Sequence, residues 1–308
     1  MIYILGDIHF SSRKDYLIAT CKEFLNWYEN WKANNENNIL ILAGDLVDSH
    51  INGGLVIDFL EEFANSSRFS EVHVVVGNHC KKMFEDKYQL TYEFYKRKSK
   101  FHVYEEATEV TIEGLKCLFL PYYWGTNEYD LTMVEYYSNI YKNKAFSNNY
   151  DLVVGHFSGE DTSFQGAVDC VKNLNKINTK KLCLGHIHTR NINPERYIGS
   201  VYAGKKNEND YTRAAWYYDG KQWKEEKLPI FNEFLTVTYP NSLPESKALI
   251  PIYTILCCGS EKLARQKYGD RIFIRKVTSE SVDIGVKKRG NNVEFESLKN
   301  IDIKKLFE

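Results

Sequence analysis

The stretch YILGDIHF, residues 3–10, is an apolar run that ends in a glycine and is followed by Asp7 and His9. Four more stretches repeat this order: ILAGDLVD (41–48), VVVGNHC (74–80), LVVGHFS (152–158) and LCLGHIHTR (182–190). In every case, a side chain that binds metal ions in proteins follows the glycine. A short apolar run is typical of a buried strand, and a glycine after it permits a tight turn. The five stretches therefore predict five strands, each followed by a glycine turn and a possible metal ligand.

The first hundred residues alternate between strand and helix patterns. Strands are predicted at 2–5, 39–43 and 72–76, with amphipathic helices at 15–32, 53–65 and 84–98. Strands that are apolar on both faces and separated by helices indicate a mostly parallel, buried sheet. The fold class predicted from this pattern is α/β.

The remaining sequence predicts further strands, a helical region and a boundary. Strand patterns occur at 101–104, 108–113, 116–120, 151–154 and 181–184, a helical pattern occurs near 130–144, and strands are again predicted after 195. Three of the six prolines lie in 240–251, which is typical of a linker. A strand–helix–strand unit is predicted beyond it. We predict two domains, 1–228 and 229–308.

The polar residues after the five strands are predicted to converge, because ligands bind at the carboxyl ends of parallel strands. The set is Asp7, His9, Asp45, Asn78, His79, His156, His186 and His188. Carboxylate, amide and imidazole donors together suit Mn²⁺, Fe²⁺, Zn²⁺, Ni²⁺ or Co²⁺. A carboxylate can bridge two such ions about 3.5–4 Å apart, and Asp45 is the predicted bridge.

Three other histidines lack the glycine signal. His73 and His102 lie within strand patterns and are expected to be structural. His50 follows the Asp45 motif closely, and it is either an ordinary loop residue or a substrate contact. The seven cysteines are scattered without a C-x-x-C pair, so neither a zinc ribbon nor a disulfide framework is expected, and Cys117 and Cys183 are predicted core residues.

Composition places the chain among globular proteins and gives little guidance on partners. No apolar stretch approaches the roughly 20 residues of a membrane span, and we expect a cytoplasmic location, the host cytoplasm if a phage encodes the chain. The net charge of −1 gives no global sign of nucleic-acid binding, although the last ninety residues or so are modestly basic.

The motifs D-x-H, G-D-x-x-D, G-N-H, G-H and G-H-x-H, in this order over residues 6–188, resemble those of the calcineurin-like metallophosphoesterases. Within that superfamily the chain looks most like the SbcD-type and T-even-phage DNA double-strand-break repair nucleases. The later stretches RYIGSVYAG (196–204) and AAWYYD (214–219) are similar to the phage type.

This resemblance implies a four-layer αββα sandwich with a small C-terminal α+β capping domain. It implies that Asp7, His9, Asp45 and His188 hold one metal ion, and that Asp45, Asn78, His156 and His186 hold the second. Metal-activated water would attack the phosphorus, while His79 would stabilise the transition state or protonate the leaving oxygen without binding metal. His186 and His188 are expected to lie in an extended segment with both rings on one side, so that one reaches each ion.

The resemblance further implies a hydrolase with endonuclease and 3′–5′ exonuclease activity in DNA recombination and repair, with Mn²⁺ as the expected metal. An SbcC-type ABC ATPase is the expected partner. Residues 296–308 are either a short helix that docks on it or an ordinary core-packing terminus. A homodimer is a further possibility, with segment 90–98 as a candidate surface by analogy. A stand-alone phosphodiesterase or phosphatase for a small substrate is the alternative, and a non-catalytic binding module is a third. Cys80 departs from the acid usual in the G-N-H motif.

Overall fold

The computed structural model of the chain describes residues 1–31, 37–48, 54–84, 87–122, 149–159, 162, 170–171, 177–238, 240–256, 261–268 and 273–278. The helix predicted near 130–144, His50 and the predicted docking tail at 296–308 lie outside these residues. Among the helices within them, none is both long and apolar enough to cross a membrane.

The described elements alternate between strands and helices early in the chain and are mostly strands later. They are β1 (Ile2–Leu5), α1 (Asp15–Asn30), β2 (Ile39–Leu42), α2 (Gly54–Ser66), β3 (Glu71–Val75), β4 (Lys81–Phe84), β5 (Lys87–Leu90), β6 (Phe101–Tyr104), β7 (Thr108–Ile112), β8 (Leu115–Leu120), β9 (Leu152–His156), β10 (Ser158–Gly159), β11 (Cys170–Val171), β12 (Leu182–Gly185), β13 (Ala214–Tyr218), β14 (Trp223–Lys227), β15 (Asn232–Thr238), β16 (Ile250–Leu256), α3 (Glu261–Tyr268) and β17 (Phe273–Thr278). Short 3₁₀ helices span Glu93–Arg97, Arg190–Ile192 and Lys206–Glu208.

Two sheets carry the motif strands. The first sheet has the order β14–β13–β1–β2–β3–β6, with β1, β2, β3 and β6 parallel and β13 and β14 antiparallel to their neighbours. The second has the order β12–β9–β8–β7, with β12, β9 and β8 parallel and β7 antiparallel to β8. The parallel strands predicted from the apolar runs are therefore confirmed.

Helices α1 and α2 cover one face of the first sheet. Helix α1 buries Leu17, Cys21, Phe24 and Tyr28, whose spacing of three or four residues makes one apolar stripe. Tyr28 stacks on Phe63 of α2, with ring centroids 4.3 Å apart. Each fully buried apolar side chain contributes about 1.5–3 kcal/mol relative to an exposed one, so this layer fixes the sheet firmly.

The other face of the first sheet packs on the second sheet. Ile4 and Ile41 of the first sheet share a buried cluster with Phe119 and Val154 of the second, and all four are fully buried. Cys117 and Cys183 are fully buried in the same cluster, as predicted. The helical layer expected over the second sheet falls on the region near 130–144, so the four-layer arrangement stays a prediction.

A separate three-stranded parallel sheet, β15–β16–β17, includes strands on both sides of the proline-containing stretch 240–251. That stretch lies between the paired strands β15 and β16, so the boundary predicted from its prolines is wrong. Helix α3 connects β16 to β17, which confirms the predicted strand–helix–strand order. This sheet contacts the main body through Phe234, which packs edge-on against Tyr16 of α1 at 5.7 Å between ring centroids. The domain boundary at residues 228 and 229 stays a prediction.

The helix predicted over 84–98 is wrong. This segment instead contains an antiparallel hairpin of β4 and β5, followed by the 3₁₀ helix Glu93–Arg97. Leu90, at the end of β5, and Tyr92, in the turn that follows, are both buried, and the buried Tyr95 donates a hydrogen bond to the Leu60 carbonyl (2.6 Å). The apolar positions fit periods of both 2 and 3.6, and tertiary contacts select the strand.

The stretch 196–204, predicted to be a strand, is mostly loop. Its single bridge joins Tyr197 to Leu184 of β12. The Ser200 amide then donates to the His188 carbonyl (3.0 Å), and the Val201 amide donates to the Asp7 carbonyl (2.9 Å). The backbone of this segment is therefore used to hold the loops after β1 and β12 instead of extending a sheet.

Candidate metal centre

Five loops meet at the edge where the parallel strands of both sheets end. Three of them follow β1, β2 and β3, one begins at the last residue of β9, and one follows β12. Direct contacts link all eight predicted site residues: Asp7, His9, Asp45, Asn78, His79, His156, His186 and His188. Residues that are up to 181 positions apart thus form one cluster, as the strand-end pattern predicted.

One half of the cluster gathers around His9 and His188. Their Nε2 atoms lie 2.9 Å apart. Asp7 offers an oxygen within 4.8 Å of a nitrogen of each ring. Asp45 Oδ2 lies 3.8 Å from His9 Nε2. These four side chains are the set that the resemblance assigns to the first ion.

The other half gathers around the amide oxygen of Asn78. Asn78 Oδ1 lies 2.9 Å from His156 Nε2 and 3.0 Å from His186 Nδ1. Asp45 Oδ2 lies 3.3 Å from His156 Nε2. This is the set assigned to the second ion, and Asp45 belongs to both halves.

The two oxygens of Asp45 have different roles. Oδ1 accepts a hydrogen bond from the His79 backbone amide (2.8 Å) and one from the Cys80 thiol (3.6 Å). Oδ2 faces His9 and His156. The β3 loop therefore orients a buried carboxylate whose second oxygen points between the two halves.

Two of the motif glycines are required by close approach. A Cβ at Gly44 would lie 1.6 Å from His156 Nδ1, and one at Gly77 would lie 2.1 Å from Asp45 Oδ1. Gly44 also has φ of 125°, which L side chains rarely adopt. The glycine in these motifs thus allows a neighbouring loop to place its donor against the backbone.

His79 lies at the open rim of the cluster. Its side chain is 29% exposed, and its Nε2 is 3.9 Å from Asp45 Oδ2. Asp48 Oδ1 approaches its Nδ1 at 4.0 Å, while Ser11 Oγ donates a hydrogen bond to Asp48 Oδ2 (3.2 Å). Asp48, the last residue of the G-D-x-x-D motif, therefore provides a carboxylate beside His79.

Cys80 does not take the place of a carboxylate beside His79, because its side chain is buried beneath Asp45. Burial raises the pKa of the Cys80 thiol well above its ordinary value, with a further contribution from the Asp45 charge. The Gly77 amide donates to the Cys80 sulfur at 3.3 Å. The residue that replaces the usual acid thus stabilises the loop and the Asp45 carboxylate.

A family model, calcineurin-like phosphoesterase, matches residues 1–190, which include every residue of the cluster. The chain belongs to the calcineurin-like phosphoesterases. No curated protein sequence matches it significantly. Among solved structures, a protein of unknown function from Aquifex aeolicus matches with 18% identity, 54% coverage of this chain, 82% coverage of that chain and a TM-score of 0.32. A TM-score this low does not establish a common fold.

Calcineurin-like phosphoesterases bind divalent metals and hydrolyse phosphoesters, so this chain is a metal-dependent phosphoesterase hydrolase. The orientation of its histidines fits such ions. His156 Nδ1 lies 3.0 Å from the Ala43 carbonyl, to which it must donate its proton. The lone pair of neutral His156 Nε2 then faces two oxygens, those of Asn78 and Asp45. That contact is repulsive unless a proton or a metal ion lies among the three atoms.

The His9–His188 contact is likewise repulsive unless a proton or a metal ion lies between the two nitrogens. His188 Nδ1 lies 2.9 Å from Glu208 Oε1, so it carries a proton and leaves the Nε2 lone pair directed at His9. In addition, buried Asp7 Oδ1 accepts no hydrogen bond from any described residue, although His156 Nδ1 approaches it at 3.3 Å. An unsatisfied buried carboxylate oxygen is costly, and a cation would satisfy it. Both halves of the cluster thus present donor atoms between which a proton or a metal ion fits.

The electrostatics of the phosphoesterase site favour positive charge among these residues. Burial opposes ionisation of Asp45, but His156, His9 and His79 lower its pKa well below the usual range. Although burial favours the neutral ring, Asp45 and Asp7 raise the pKa of His156 well above its ordinary value. Burial lowers the pKa of His9 to about 4, so this ring is neutral at pH 7 and can donate a lone pair.

Glu208 was missed in the sequence. It ends the 3₁₀ helix Lys206–Glu208, and it has no preceding strand or glycine to mark it. Besides accepting from His188, it accepts a hydrogen bond from the Gly204 amide through Oε2 (2.8 Å). Burial favours its neutral form, but the His188 contact lowers the pKa of Glu208 to about 2. A charged carboxylate therefore orients the His188 ring and holds its Nδ1 proton.

The predicted geometry of the last motif is wrong in one respect. His186 is not in an extended segment, because its φ is 73°. Its amide donates to Asp7 Oδ2 (2.9 Å), which holds the turn, and its ring points to Asn78 while His188 points to His9. The pair reaches both halves of the cluster through a left-handed turn instead of through strand alternation.

Proposed function

We propose that the chain is a dinuclear-metal DNA nuclease with endonuclease and 3′–5′ exonuclease activity, acting in recombination or repair with an ABC-type ATPase of the SbcC type. The observation that carries this proposal is a cavity of about 390 Å³ beside the His9 half of the cluster. His9, His79 and His188 line its floor, and Arg13, Lys14 and Lys205 contribute to its walls. Cations next to a two-metal site suit a substrate with several phosphates.

The walls of this cavity are held in place by carboxylates from the same region. Arg13 Nη1 lies 3.2 Å from Asp48 Oδ2, and Lys205 Nζ lies 3.3 Å from Glu208 Oε1. The Arg13 and Lys205 side chains are 47% and 60% exposed, so both can reach a phosphate outside the cavity. We assign Arg13 and Lys205 to the DNA phosphates that flank the scissile bond.

The C-terminal sheet is attached to the same wall, which supports its proposed role as a cap. The Asn232 side chain donates to the Ala203 carbonyl (2.7 Å) and accepts from the Ala203 amide (2.8 Å). Asn209 makes the equivalent pair of contacts with the Phe234 backbone. A sheet tied to residues 203–209 is positioned to contact a polymer that leaves the cavity.

In this proposal, each part of the cluster has one task. Two divalent ions, Mn²⁺ by expectation, would be held by the two halves that share Asp45 and would activate water and neutralise phosphate charge when bound. His79, at the rim, would donate a proton to the leaving oxygen. Asp48 would hold the His79 ring towards the substrate, and Glu208 would hold the ring of His188.

A phosphodiesterase or phosphatase for a small substrate is the competing function. The cavity volume of about 390 Å³ is within the roughly 300–1,000 Å³ range of small-ligand pockets, and the net charge of −1 is compatible with this function. A non-catalytic binding module would be expected to lack ligands, whereas all eight positions carry suitable donors here. The substrate test below distinguishes the nuclease from the small-substrate phosphodiesterase or phosphatase.

The test compares Mn²⁺-dependent cleavage of a linear DNA duplex with hydrolysis of a bis-aryl phosphodiester. We expect cleavage of both substrates. Arg13→Gln and Lys205→Gln should each reduce DNA cleavage about tenfold and flatten its salt dependence, while small-ester hydrolysis changes less than twofold. Lys221→Gln, on the exposed β13–β14 turn, is the matched control. Hydrolysis of the small ester with intact DNA would refute the nuclease.

Partner and assembly are tested separately. Deletion of residues 296–308 should abolish co-purification with the ATPase and leave small-ester hydrolysis unchanged. The proposed homodimer should be detected by sedimentation. Substitution of the exposed Lys96, in the 3₁₀ helix Glu93–Arg97, should weaken the dimer. A monomer at all accessible concentrations would contradict the dimer without affecting the nuclease proposal.

A further inference from the structure

A second group of possible metal ligands lies at the opposite end of the first sheet. Glu71 and His73 belong to β3, and His102 belongs to the edge strand β6. His73 and His102 are direct cross-strand partners in the parallel pair. Glu71 precedes His73 by two residues, so its side chain lies on the same face. All three side chains therefore project from one patch of the sheet.

The distances within this patch match those of a coordination shell. Glu71 Oε2 lies 3.2 Å from His73 Nε2 and 3.7 Å from His102 Nε2. One donor atom of each residue lies within 4.8 Å of the other two. In a tetrahedral site with bonds of about 2.0–2.1 Å, ligand atoms are separated by roughly 3.3 Å. An ion could therefore be accommodated with side-chain adjustments alone.

Neighbouring side chains hold the central ring in position. Tyr104 Oη lies 2.8 Å from His73 Nδ1, so the hydroxyl fixes the ring from the side away from Glu71. The rings of His73 and His102 are stacked at 4.8 Å between centroids, and Phe119 packs against His73 at 5.9 Å. Metal-binding histidines commonly have such a partner on the second nitrogen.

The patch combines a rigid interior with access from solvent. The His73 side chain is only 4% exposed, whereas those of His102 and Glu71 are 42% and 48% exposed. A free ion can thus reach two flexible ligands and then the fixed one. The simple explanation is a carboxylate hydrogen-bonded to His73, which accounts for the 3.2 Å distance. It accounts neither for the approach of His102 to the same oxygen at 3.7 Å nor for the fixed orientation of the buried ring.

We propose that Glu71, His73 and His102 bind one late first-row divalent ion, of the class Zn²⁺, Ni²⁺ or Cu²⁺. Two imidazoles and one carboxylate are the donors that these ions prefer, and water completes the shell. The ion would join the edge strand β6 to β3. It would be separate from the phosphoesterase centre, because β3 places Glu71 at its amino end and Asn78 beyond its carboxyl end. Its function is structural, and hydrolysis does not require it.

The test measures bound Zn²⁺ in the full chain after metal removal and reloading. We expect three equivalents in the wild type and two in His102→Gln. Glu71→Gln, which alters a half-exposed side chain, should lower the affinity of the third ion at least tenfold. Glu106→Gln, an exposed carboxylate in the following turn, is the matched control and should keep three.

A second measurement identifies the ligands. Cu²⁺ added to protein whose phosphoesterase centre has first been filled should give an electron paramagnetic resonance signal with coupling to two nitrogens. His102→Gln should lose that signal while it keeps wild-type melting temperature without metal and wild-type Mn²⁺-dependent hydrolysis. Equal Zn²⁺ content in the wild type, His102→Gln and Glu71→Gln, or a Cu²⁺ signal unchanged by both substitutions, would overturn the proposal.

Discussion

The two histidine clusters of this protein are built in opposite ways. The phosphoesterase centre draws its donors from five loops at the carboxyl ends of parallel strands. Asp7, Asp45 and His156 are fully buried, and the other donors are partly buried. The cluster of Glu71, His73 and His102 uses two paired strands at the amino end of the same sheet, and two of its three side chains are substantially exposed. Loops that converge from several strand ends can surround an ion, whereas a pair of strands can present ligands from one face only.

The difference has an energetic consequence. In the phosphoesterase centre, buried carboxylates and directed lone pairs leave atoms unsatisfied without a cation, as with Asp7 Oδ1. In the strand cluster, Glu71 can hydrogen-bond to His73 (3.2 Å) and lies 3.7 Å from His102, so the carboxylate is satisfied without a cation. We therefore expect tight binding and a strong functional dependence in the first cluster, and weaker, purely stabilising binding in the second.

The largest effect is expected for Asp45→Asn. This change removes the charge shared by both halves, so metal content of the phosphoesterase centre should fall from two equivalents to below one. Hydrolysis should fall at least roughly 10³-fold, because each ion contributes several kcal/mol to the transition state. Zn²⁺ at the strand cluster should be retained. Asp58→Asn, on the exposed face of α2, is the control, and retention of both ions in Asp45→Asn would contradict the bridging role.

His79→Ala is expected to separate chemistry from metal binding. Both ions should remain, measured by metal analysis, while kcat falls about 10²–10⁴-fold, as is typical when a general acid is lost. A leaving group that needs no proton, such as a nitrophenolate, should recover most of the rate. Wild-type turnover of an alkyl ester by this variant would show that the assigned role is wrong.

Glu208→Gln should have a smaller effect through His188. Without the charged carboxylate the ring is a poorer and less oriented ligand, so we expect affinity for the first ion to fall about 10–100-fold. Isothermal titration with Mn²⁺ measures this change. At saturating metal, kcat should remain near the wild-type value. An unchanged Mn²⁺ affinity would show that Glu208 does not support His188 as a metal ligand.

The smallest effect concerns the acid stability of the metal-free protein. Because the folded-state pKa of Glu208 is lowered to about 2, its contribution is present above the unfolded pKa of about 4.5 and is lost as the pH falls towards 2. The stability advantage of the wild type over Glu208→Gln should be at most about 3 kcal/mol near pH 5 and should shrink below pH 4.5. Urea unfolding across this range measures it, and an advantage that grows with acid would contradict the sign.

The sequence predicted the parallel strands and the cluster at their ends because both depend on local patterns. Each strand is a short apolar run, and each donor follows a glycine whose absent side chain leaves space for a neighbouring loop, as at Gly44 and Gly77. The convergence of the loops within each sheet follows from the parallel order, whereas the meeting of the two sheets at one edge depends on their packing. The C-terminal strand–helix–strand unit was predictable for the same reason.

The remaining features depend on contacts that no local pattern specifies. Segment 84–98 carries apolar residues at both strand and helix periods, so only packing of Leu90 and Tyr95 selects the hairpin and the 3₁₀ helix. Glu208 approaches His188 across a turn. His73 and His102 are adjacent only because β3 pairs with β6, so the sequence led us to consider each ring structural on its own.

Anomalous diffraction from crystals of the full chain grown with Mn²⁺ tests the central claim most directly. We predict two manganese peaks about 3.5–4 Å apart, with Asp45 Oδ2 between them. His9 and His188 should contact one peak, and Asn78, His156 and His186 the other. A single peak, or a pair of peaks with Asp45 outside the coordination of both, would contradict the account.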